Sequence, residues 1–337
     1  MATDLVMNVT QAEDLDYMVP EIWAAKTYQE AKAMMLWERY SGPEGSMMPV
    51  IKKTELLTNP GDTINIQQVR HLTGAGRSGT QRLKGYEEKL VDRQVVLQPD
   101  WKRHAVADTV RTDKRITDRF RSLSQSALSY WMAVTMDTSL WTAARQTGNV
   151  GFEASAINDV FGGDATTVDT LDSSDTFSVA VIRKAATKLQ ALNATKIRTP
   201  DMPAGAGYYI CFIHPFQAYS LKGDSEWINR YSYAGPAYPD NPLFTGALGE
   251  VDGVIILEST QCSTYWNANS PSIRYAQAIM LAAECLARGQ EEEIVWSEQI
   301  DDYDFEHGIG VRAAWEDKVL SSEAIMHIYT AAIDPSV

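Results

Sequence analysis

The stretch that decides the fold is RFRSLSQSALSYWMAVTMD, residues 119–137. Its apolar side chains recur every three or four residues, which predicts an α-helix with one apolar stripe. The pattern starts upstream, so the predicted helix runs from about Thr112 to Ala144, with Thr112 or Asp113 capping its first amides. Such a rod would be roughly 50 Å long and would serve as a spine for other elements. The predicted stripe consists of Ile116, Phe120, Leu123, Ala127, Trp131 and Val134.

A long hairpin is predicted before this helix, within residues 50–99. Two β-like pieces, DTINIQQVRHL (62–72) and KLVDRQVVL (89–97), enclose a glycine-rich tip and a polar stretch. Because this segment contains little core-forming material, it is expected to project from the subunit.

The first 48 residues are predicted to form an extended arm with one helical piece after Pro20. In that piece, apolar residues hold roughly helical spacing, and SGPEGSMMP (41–49) then breaks the pattern. The spaced residues are Ile22, Ala25, Tyr28, Ala31, Met35 and Trp37.

The remainder of the chain mixes helices and strands. Residues 148–174 are predicted as a linker, and Ser174 as the cap of a second helix. YYICFIHP (208–215) and VDGVIILES (251–259) are predicted as buried strands, and YAQAIMLAAECLARG (275–289) as a buried helix or strand–helix junction. Alternating polar and apolar residues from 291 onwards predict antiparallel strands.

Composition limits the classes of function. A chain of 337 residues with 45% hydrophobic residues predicts two packed sub-domains. The net charge of −14 argues against non-specific nucleic-acid binding, which needs a basic face. The acidic N-terminus and the lack of a long apolar run favour a soluble protein made in the cytoplasm, with no membrane partner. Three scattered cysteines predict neither a disulfide framework nor a metal site.

No motif assembles catalytic chemistry. Gly74, Gly76 and Gly79 spell G-x-G-x-x-G, but a buried strand before them and an apolar helix after them are both missing. The acidic run from 291 to 306 fails the spacing of a calcium loop and is interpreted as a solvated or subunit-facing strand edge. The five histidines show no metal spacing, and His214 is expected to make a strand-end hydrogen bond. No catalytic, cofactor-binding or metal residue is predicted.

Five strings, taken in their order and spacing, resemble the major capsid proteins of tailed bacteriophages, in particular the branch found in podoviruses related to phage N-four. The resemblance covers about residues 20–332. In one departure, Trp315-Glu-Asp317-Lys318 stands where the family usually has Gly-x-Lys-Lys. The strings are LKGYEEKL (83–90), RFRSLSQSALSYWMAVTMD (119–137), FIHP (212–215), NPLFTGALGEVDGVIILES (241–259) and DDYDFEHGIGVRAAWEDKVL (301–320).

This resemblance implies an α+β chain with the Hong Kong 97-type capsid fold. The implied parts are an N-terminal arm (1–48), an extended loop (50–99), a peripheral domain (100–174 and 291–337) and an axial domain (175–290). It also implies that copies of the chain form hexamers and pentamers of a virion shell. That shell would enclose double-stranded DNA without sequence-specific binding, with portal and scaffolding or decoration proteins as further partners.

Charge polarity along the chain suggests where subunits meet. Residues 52–121 hold fifteen Lys and Arg against nine acids, a net charge of +6, and residues 284–337 hold three against thirteen, a net charge of −10. If the loop of one subunit lies across its neighbour, these sets would meet. The alternative interpretation is that each is a solvated face. The expected contact residues are Arg77, Arg82, Lys84, Asp301, Asp302 and Asp304.

Two other functions remain open at this point. One is an encapsulin-like nanocompartment shell with the same fold, and the other is a nucleotide-dependent enzyme built on the Gly74–Gly79 loop.

Overall fold

The computed structural model describes residues 35–69, 72, 74–109, 120–146, 158–198, 207–228, 247–269, 273–303 and 305–333. The predicted arm before Met35, including its helical piece, lies outside these residues. The longer helices of the described residues are α1 (Phe120–Arg145), α2 (Val179–Ala191) and α3 (Pro215–Gly223). The strands are β1 (Ser41–Gly42), β2 (Val50–Lys53), β3 (Ile64–Val69), β4 (Asp92–Leu97), β5 (Asp100–Thr109), β6 (Asp159–Phe161), β7 (Tyr209–Ile213), β8 (Ala247–Val251), β9 (Val254–Glu258), β10 (Thr264–Trp266), β11 (Arg274–Leu281), β12 (Leu286–Asp301), β13 (Glu306–Val319) and β14 (Ile325–Ala331).

A five-stranded sheet carries the long helix. Its order is β1-β2-β12-β13-β5, and β12 pairs with β13 as a long antiparallel hairpin, as the alternating sequence predicts. Helix α1 packs on this sheet through Leu128, Met132 and Met136, which share a buried cluster with Ile309 and Trp315. The apolar face of the sheet therefore fixes the position of the helix.

A second sheet holds most of the remaining core. Its order is β6-β14-β11-β7-β9-β8, and β10 pairs with β11. Strand β7 is buried along its whole length, which confirms the first predicted buried strand, and it runs parallel to β9. Strand β9 is present as predicted, but its residues alternate between buried and partly exposed, so it is buried on one side only. Helix α2 contributes Val181, Ala185 and Leu189 to the same core, as its sequence pattern predicts.

The predicted hairpin is present. Strands β3 and β4 pair antiparallel from Ile64↔Leu97 to Val69↔Asp92 and form a two-stranded sheet of their own. At the base of the hairpin, Ile64 and Leu97 pack against Ile51 and Ala287 of the five-stranded sheet. The hairpin is thus anchored at one end, and its tip carries no core.

Most of the predicted face of the long helix is wrong, although Trp131 is half-buried and packs against the cluster between the helix and the sheet. In α1, Leu123, Ala127 and Val134 are exposed, and the buried line runs through Leu128 and Met132 instead. The upstream part of the predicted helix, including Ile116, and the side chain of Phe120 lie outside the described residues. The helix carries apolar residues on two faces, so periodicity alone could not choose the face that meets the sheet.

Two local predictions also need correction. The run 275–289 is not a helix, because it forms β11 and the start of β12, joined by a turn in which Glu284 has φ +56°. A continuous apolar run of this kind does not distinguish a buried strand from a buried helix. Ser174 does not cap α2, which begins at Val179. The carboxylate of Asp224, after α3, accepts the Val179 amide at 2.9 Å.

Sheet pairing cuts across the expected domain ranges. Strand β6, from within the predicted linker, and strand β14 fall in ranges expected for the peripheral domain. Both belong to the same sheet as β7, β9 and β11 of the range expected for the axial domain. The domain boundaries themselves stay a prediction.

Candidate inter-subunit surfaces

The tip of the β3–β4 hairpin presents three basic side chains to solvent. Arg77, Arg82 and Lys84 are all exposed. The Arg77 guanidinium lies 3.9 Å from the ring centroid of Tyr86, a cation–π contact, and its Nη1 donates to Gln81 Oε1 at 3.4 Å. Among the described residues, no ion pair holds Arg82 or Lys84. These cations are available to an acidic surface on another molecule.

Glycines shape this tip. Gly76 and Gly79 have φ of +65° and +64°, a left-handed conformation that side chains other than glycine adopt at a cost. Gly74 instead donates its amide to Glu88 Oε2 at 2.7 Å across the loop. Among the described residues, the preceding strand β3 pairs with β4 alone, and no helix follows in residues 80–91. The surroundings that a dinucleotide fingerprint requires are therefore missing here.

The same hairpin exposes a set of large apolar side chains. The described residues leave these side chains exposed, which makes this surface a candidate for contact with another protein. The exposed residues are Val69, Leu72, Leu83, Tyr86, Leu90 and Val91.

An acidic and aromatic tip closes the β12–β13 hairpin. Asp301 Oδ1 accepts the amide of Asp302 at 2.8 Å, and Asp302 itself has φ +48°. Asp304 lies outside the described residues. Tyr303 is fully exposed, and Ile300 is exposed beside it. The tip thus combines negative charge with apolar surface, the complement of the β3–β4 tip.

Within one subunit, the structure does not bring the predicted basic and acidic residues together. No hydrogen bond or ion pair between described residues joins Arg77, Arg82 or Lys84 to Asp301 or Asp302. Some of the charged residues of the two segments instead form ion pairs within the same subunit.

An ion pair links the basic and acidic segments directly, since Arg121 Nη2 lies 2.6 Å from Glu298 Oε1. Within the acidic segment, Arg312 pairs with Glu292 at 3.1 Å and Lys318 with Glu316 at 3.1 Å. The exposed tips remain as the candidates for contact between subunits.

The sequence did not predict the buried ion pair between Arg288 and Asp317. Arg288 on β12 and Asp317 on β13 stand opposite each other in register and form a bidentate pair. Asp317 lies in the string that departs from the usual family pattern. The sequence signal is an arginine near the end of an almost wholly apolar run, and that signal does not identify a partner.

The three cysteines are buried in the fold, and His214 hydrogen-bonds to the backbone. Cys211, Cys262 and Cys285 are buried thiols, and burial raises the pKa of each, that of Cys262 to about 12. His214 Nδ1 accepts the amide of Phe216 at 3.2 Å at the start of α3, which confirms the expected strand-end hydrogen bond. Burial lowers the pKa of His214.

The described residues hold no group of three or more side chains placed to bind a metal ion. Among the helices that the structure describes, none combines the length and apolarity needed to cross a membrane.

The fold is the Hong Kong 97-type capsid fold. The capsid structure of Ralstonia phage GP4 matches with a TM-score of 0.73 at 21% identity, covering 89% of this chain and 92% of that one. The capsid structure of cyanophage Pam1 also matches with a TM-score of 0.73, at 17% identity, covering 88% and 92% of the two chains. These similarities establish the class of architecture.

The family follows from the sequence. A family model described as "Phage capsid protein" matches residues 2–311, so the chain belongs to the phage capsid protein family. The major capsid protein of Pseudomonas phage KPP25 is 25% identical over an alignment that covers 96% of this chain and 98% of that protein. The chain is a major capsid protein that forms the capsid shell of a phage, and neither the nanocompartment nor the nucleotide-enzyme alternative is supported. The resemblance to tailed-phage capsid proteins is confirmed.

Proposed function

We propose that copies of this chain form the hexamers and pentamers of an icosahedral phage head that encloses double-stranded DNA without reading its sequence. Assembly takes place in the host cytoplasm, with portal and scaffolding or decoration proteins as partners. The chain acts as a structural subunit and carries out no catalysis. The domain division proposed for it is the arm, extended loop, peripheral domain and axial domain set out above.

One observation carries this proposal: the β3–β4 hairpin projects an apolar and basic tip that the described part of its own subunit leaves uncovered. Leu83, Tyr86 and Leu90 are exposed next to Arg82 and Lys84. A hydrophobic surface of this kind is unfavourable in water, so burial against a neighbour supplies the driving force for association. Charge then sets the orientation and the rate of encounter.

The neighbouring surface that fits this tip is the acidic end of the β12–β13 hairpin. In the proposed contact, Arg77, Arg82 and Lys84 of one subunit face the acidic tip of the next subunit. Its carboxylates are Asp301, Asp302 and Asp304, and Ile300 and Tyr303 add apolar surface beside them.

The direct test is negative-stain microscopy of the purified chain together with a hairpin-shortened variant. We expect shells from the wild type, and folded subunits without shells when a short Gly-Ser linker replaces residues 74–88. A matched control replaces the exposed pair Arg183 and Glu226, away from the hairpin, with Gln and should assemble normally. Normal shells from the shortened variant would contradict the proposal.

A further inference from the structure

The turn that closes the β12–β13 hairpin holds a tyrosine in a strained backbone conformation. The amide of Phe305 donates to the carbonyl of Asp302 at 3.1 Å, so residues 302–305 form a β-turn in which Tyr303 is the second residue. Tyr303 has φ +54°. A positive φ at this position of a turn favours Gly, Asn or Asp, and a bulky side chain adopts it at a cost. The hairpin tip therefore carries a residue that its own backbone disfavours.

Nothing in the described part of the subunit offsets this cost. The side chain of Tyr303 is fully exposed, with a relative exposed area of 104%. Between described residues, no hydrogen bond or ring contact involves that side chain. Strained residues cluster where function requires them. A strained residue whose side chain gains no contact inside its own subunit points to a partner outside that subunit.

The surroundings of Tyr303 have the composition of an interface centre. Ile300 is 61% exposed and Phe305 is 46% exposed, so three large apolar side chains lie at one end of the hairpin. Asp301 and Asp302 are exposed beside them and add negative charge. Tyrosine is enriched at the centres of protein interfaces, because its ring buries a large area while only two side-chain torsions become fixed. An apolar centre with a polar rim is typical of contacts between proteins.

The tip of the β3–β4 hairpin of a second copy is the occupant that fits this surface. It exposes Leu83, Tyr86 and Leu90, whose side chains can cover the ring of Tyr303. Among the described residues, no ion pair engages Arg82, so its guanidinium is available to the same ring or to the aspartates. The two apolar centres are thus surrounded by charges of opposite sign.

We propose that Tyr303 is the anchor residue of this contact, and that it lowers the stability of the isolated subunit while it is required for assembly. Its ring packs on the apolar side chains of the β3–β4 tip of a neighbouring copy, and Asp301 and Asp302 face the basic residues there. This assignment rests on the contact between tips proposed above. It adds that one side chain dominates the association, as interface hot spots do.

Two measurements on Tyr303→Asn test the proposal. Asn tolerates a positive φ, so this variant relieves the strain and removes the ring. We expect the midpoint of urea unfolding of unassembled subunits to rise by about 0.3 M. We also expect the yield of shells to fall about ten-fold. The matched control Tyr303→Phe keeps both the strain and the ring, so both values should stay at the wild-type level.

Three results would overturn the proposal. An unchanged or lower urea midpoint for Tyr303→Asn would show that Tyr303 does not destabilise the subunit. Shells at the wild-type yield from the same variant would show that the ring is not needed. Loss of shells from Tyr303→Phe would show that the phenol hydroxyl, and not the packing of the ring, carries the contact.

Disulfide trapping separates this proposal from the contact between tips on which it rests. Subunits with Ile300→Cys are mixed with subunits with Leu83→Cys, assembled and oxidised, and the native cysteines are buried and add little background. We expect cross-linked dimers, because both positions lie in the proposed contact. Replacing Ile300→Cys by Tyr219→Cys, an exposed position on α3, should give none.

The two proposals fail in different ways. Shells that form without cross-linked dimers would refute the contact between tips, and the anchor with it. Cross-linked dimers together with shells at the wild-type yield from Tyr303→Asn would refute the anchor alone.

Discussion

Arg288 and Asp317 form a bidentate ion pair in which the side chains are 2% and 0% exposed. Arg288 Nε and Nη2 lie 2.7 Å and 2.9 Å from Asp317 Oδ1 and Oδ2. Nη2 also donates to the Met136 carbonyl at 2.7 Å, and the Ser139 hydroxyl donates to Asp317. Because Met136 and Ser139 belong to α1, the pair joins two strands of the sheet to the long helix.

Breaking this pair should be costly. Asp317→Asn leaves the Arg288 charge buried without a counter-charge, and we expect the free energy of unfolding to fall by roughly 3–5 kcal/mol. Glu292→Gln, which breaks the exposed pair with Arg312, should cost only about 0–1 kcal/mol. Urea unfolding of unassembled subunits compares the two variants. Similar losses in both would show that burial does not set the strength of the pair.

The two faces of α1 should respond differently to charge. Leu128 is 1% exposed, so Leu128→Asp places a carboxylate in the core at a cost of several kcal/mol and should yield insoluble or degraded protein. Leu123→Asp, on the exposed stripe, should give soluble and folded subunits. Soluble expression and circular dichroism distinguish the outcomes. Insoluble Leu123→Asp protein alongside folded Leu128→Asp protein would reverse the assignment of the faces.

The basic hairpin tip should control assembly without affecting the fold. We expect the triple change Arg77→Glu, Arg82→Glu, Lys84→Glu to give folded subunits that fail to form shells, because it places like charges at the proposed contact. Wild-type assembly should slow as salt rises, since exposed pairs are screened over roughly 8–10 Å at physiological ionic strength. Light scattering and microscopy follow both effects. Shells that form at the normal rate from the triple variant would show that these cations lie elsewhere.

The tip glycines should matter for shape alone. Gly76→Ala and Gly79→Ala meet no atom within 4 Å, but each forces alanine into a positive φ, at a cost of about 1 kcal/mol. Combined with Gly74→Ala, they should leave the subunit soluble and impair assembly, as measured by light scattering. A thermal shift with NAD or ATP that the wild type shows and this variant loses would point to a nucleotide site instead.

Asp137 should make stability depend on pH. Burial raises the pKa of its carboxyl, and the amides of Leu36 and Trp37 only partly offset that rise. A raised pKa in the folded state means that the folded state binds the proton more tightly than the unfolded state does. The contribution of Asp137 to stability therefore decreases as pH rises from the ordinary Asp value through the raised one.

Asp137→Asn keeps an acceptor for Leu36 and removes this titration. Relative to the variant, the wild type should gain stability as pH falls across that interval. Urea unfolding at a series of pH values measures the difference. A difference that is flat with pH, or that grows in the opposite direction, would contradict the assignment.

The local sequence pattern was enough to predict those strands and hairpins whose side chains alternate or recur regularly. The alternation after residue 291 predicted β12 and β13, and the two β-like pieces around the glycine tip predicted the β3–β4 hairpin. The family also follows from the sequence, since ordered strings along the chain carry it. The strands depend on residues near each other in the chain, so propensity and periodicity reveal them, whereas the family is shown by similarity to known capsid proteins.

Only the tertiary structure decided which face of α1 is buried, because both Leu123 and Leu128 lie on apolar stripes and the choice depends on the sheet that meets them. It also decided that the run around Leu281 forms strands, since burial on both sides hides the period. The partner of Arg288 is 29 residues away, and the Leu36 amide that binds Asp137 is 101 residues away. Such pairs form because segments that are distant in the chain pack together. The local spacing of residues therefore does not predict them.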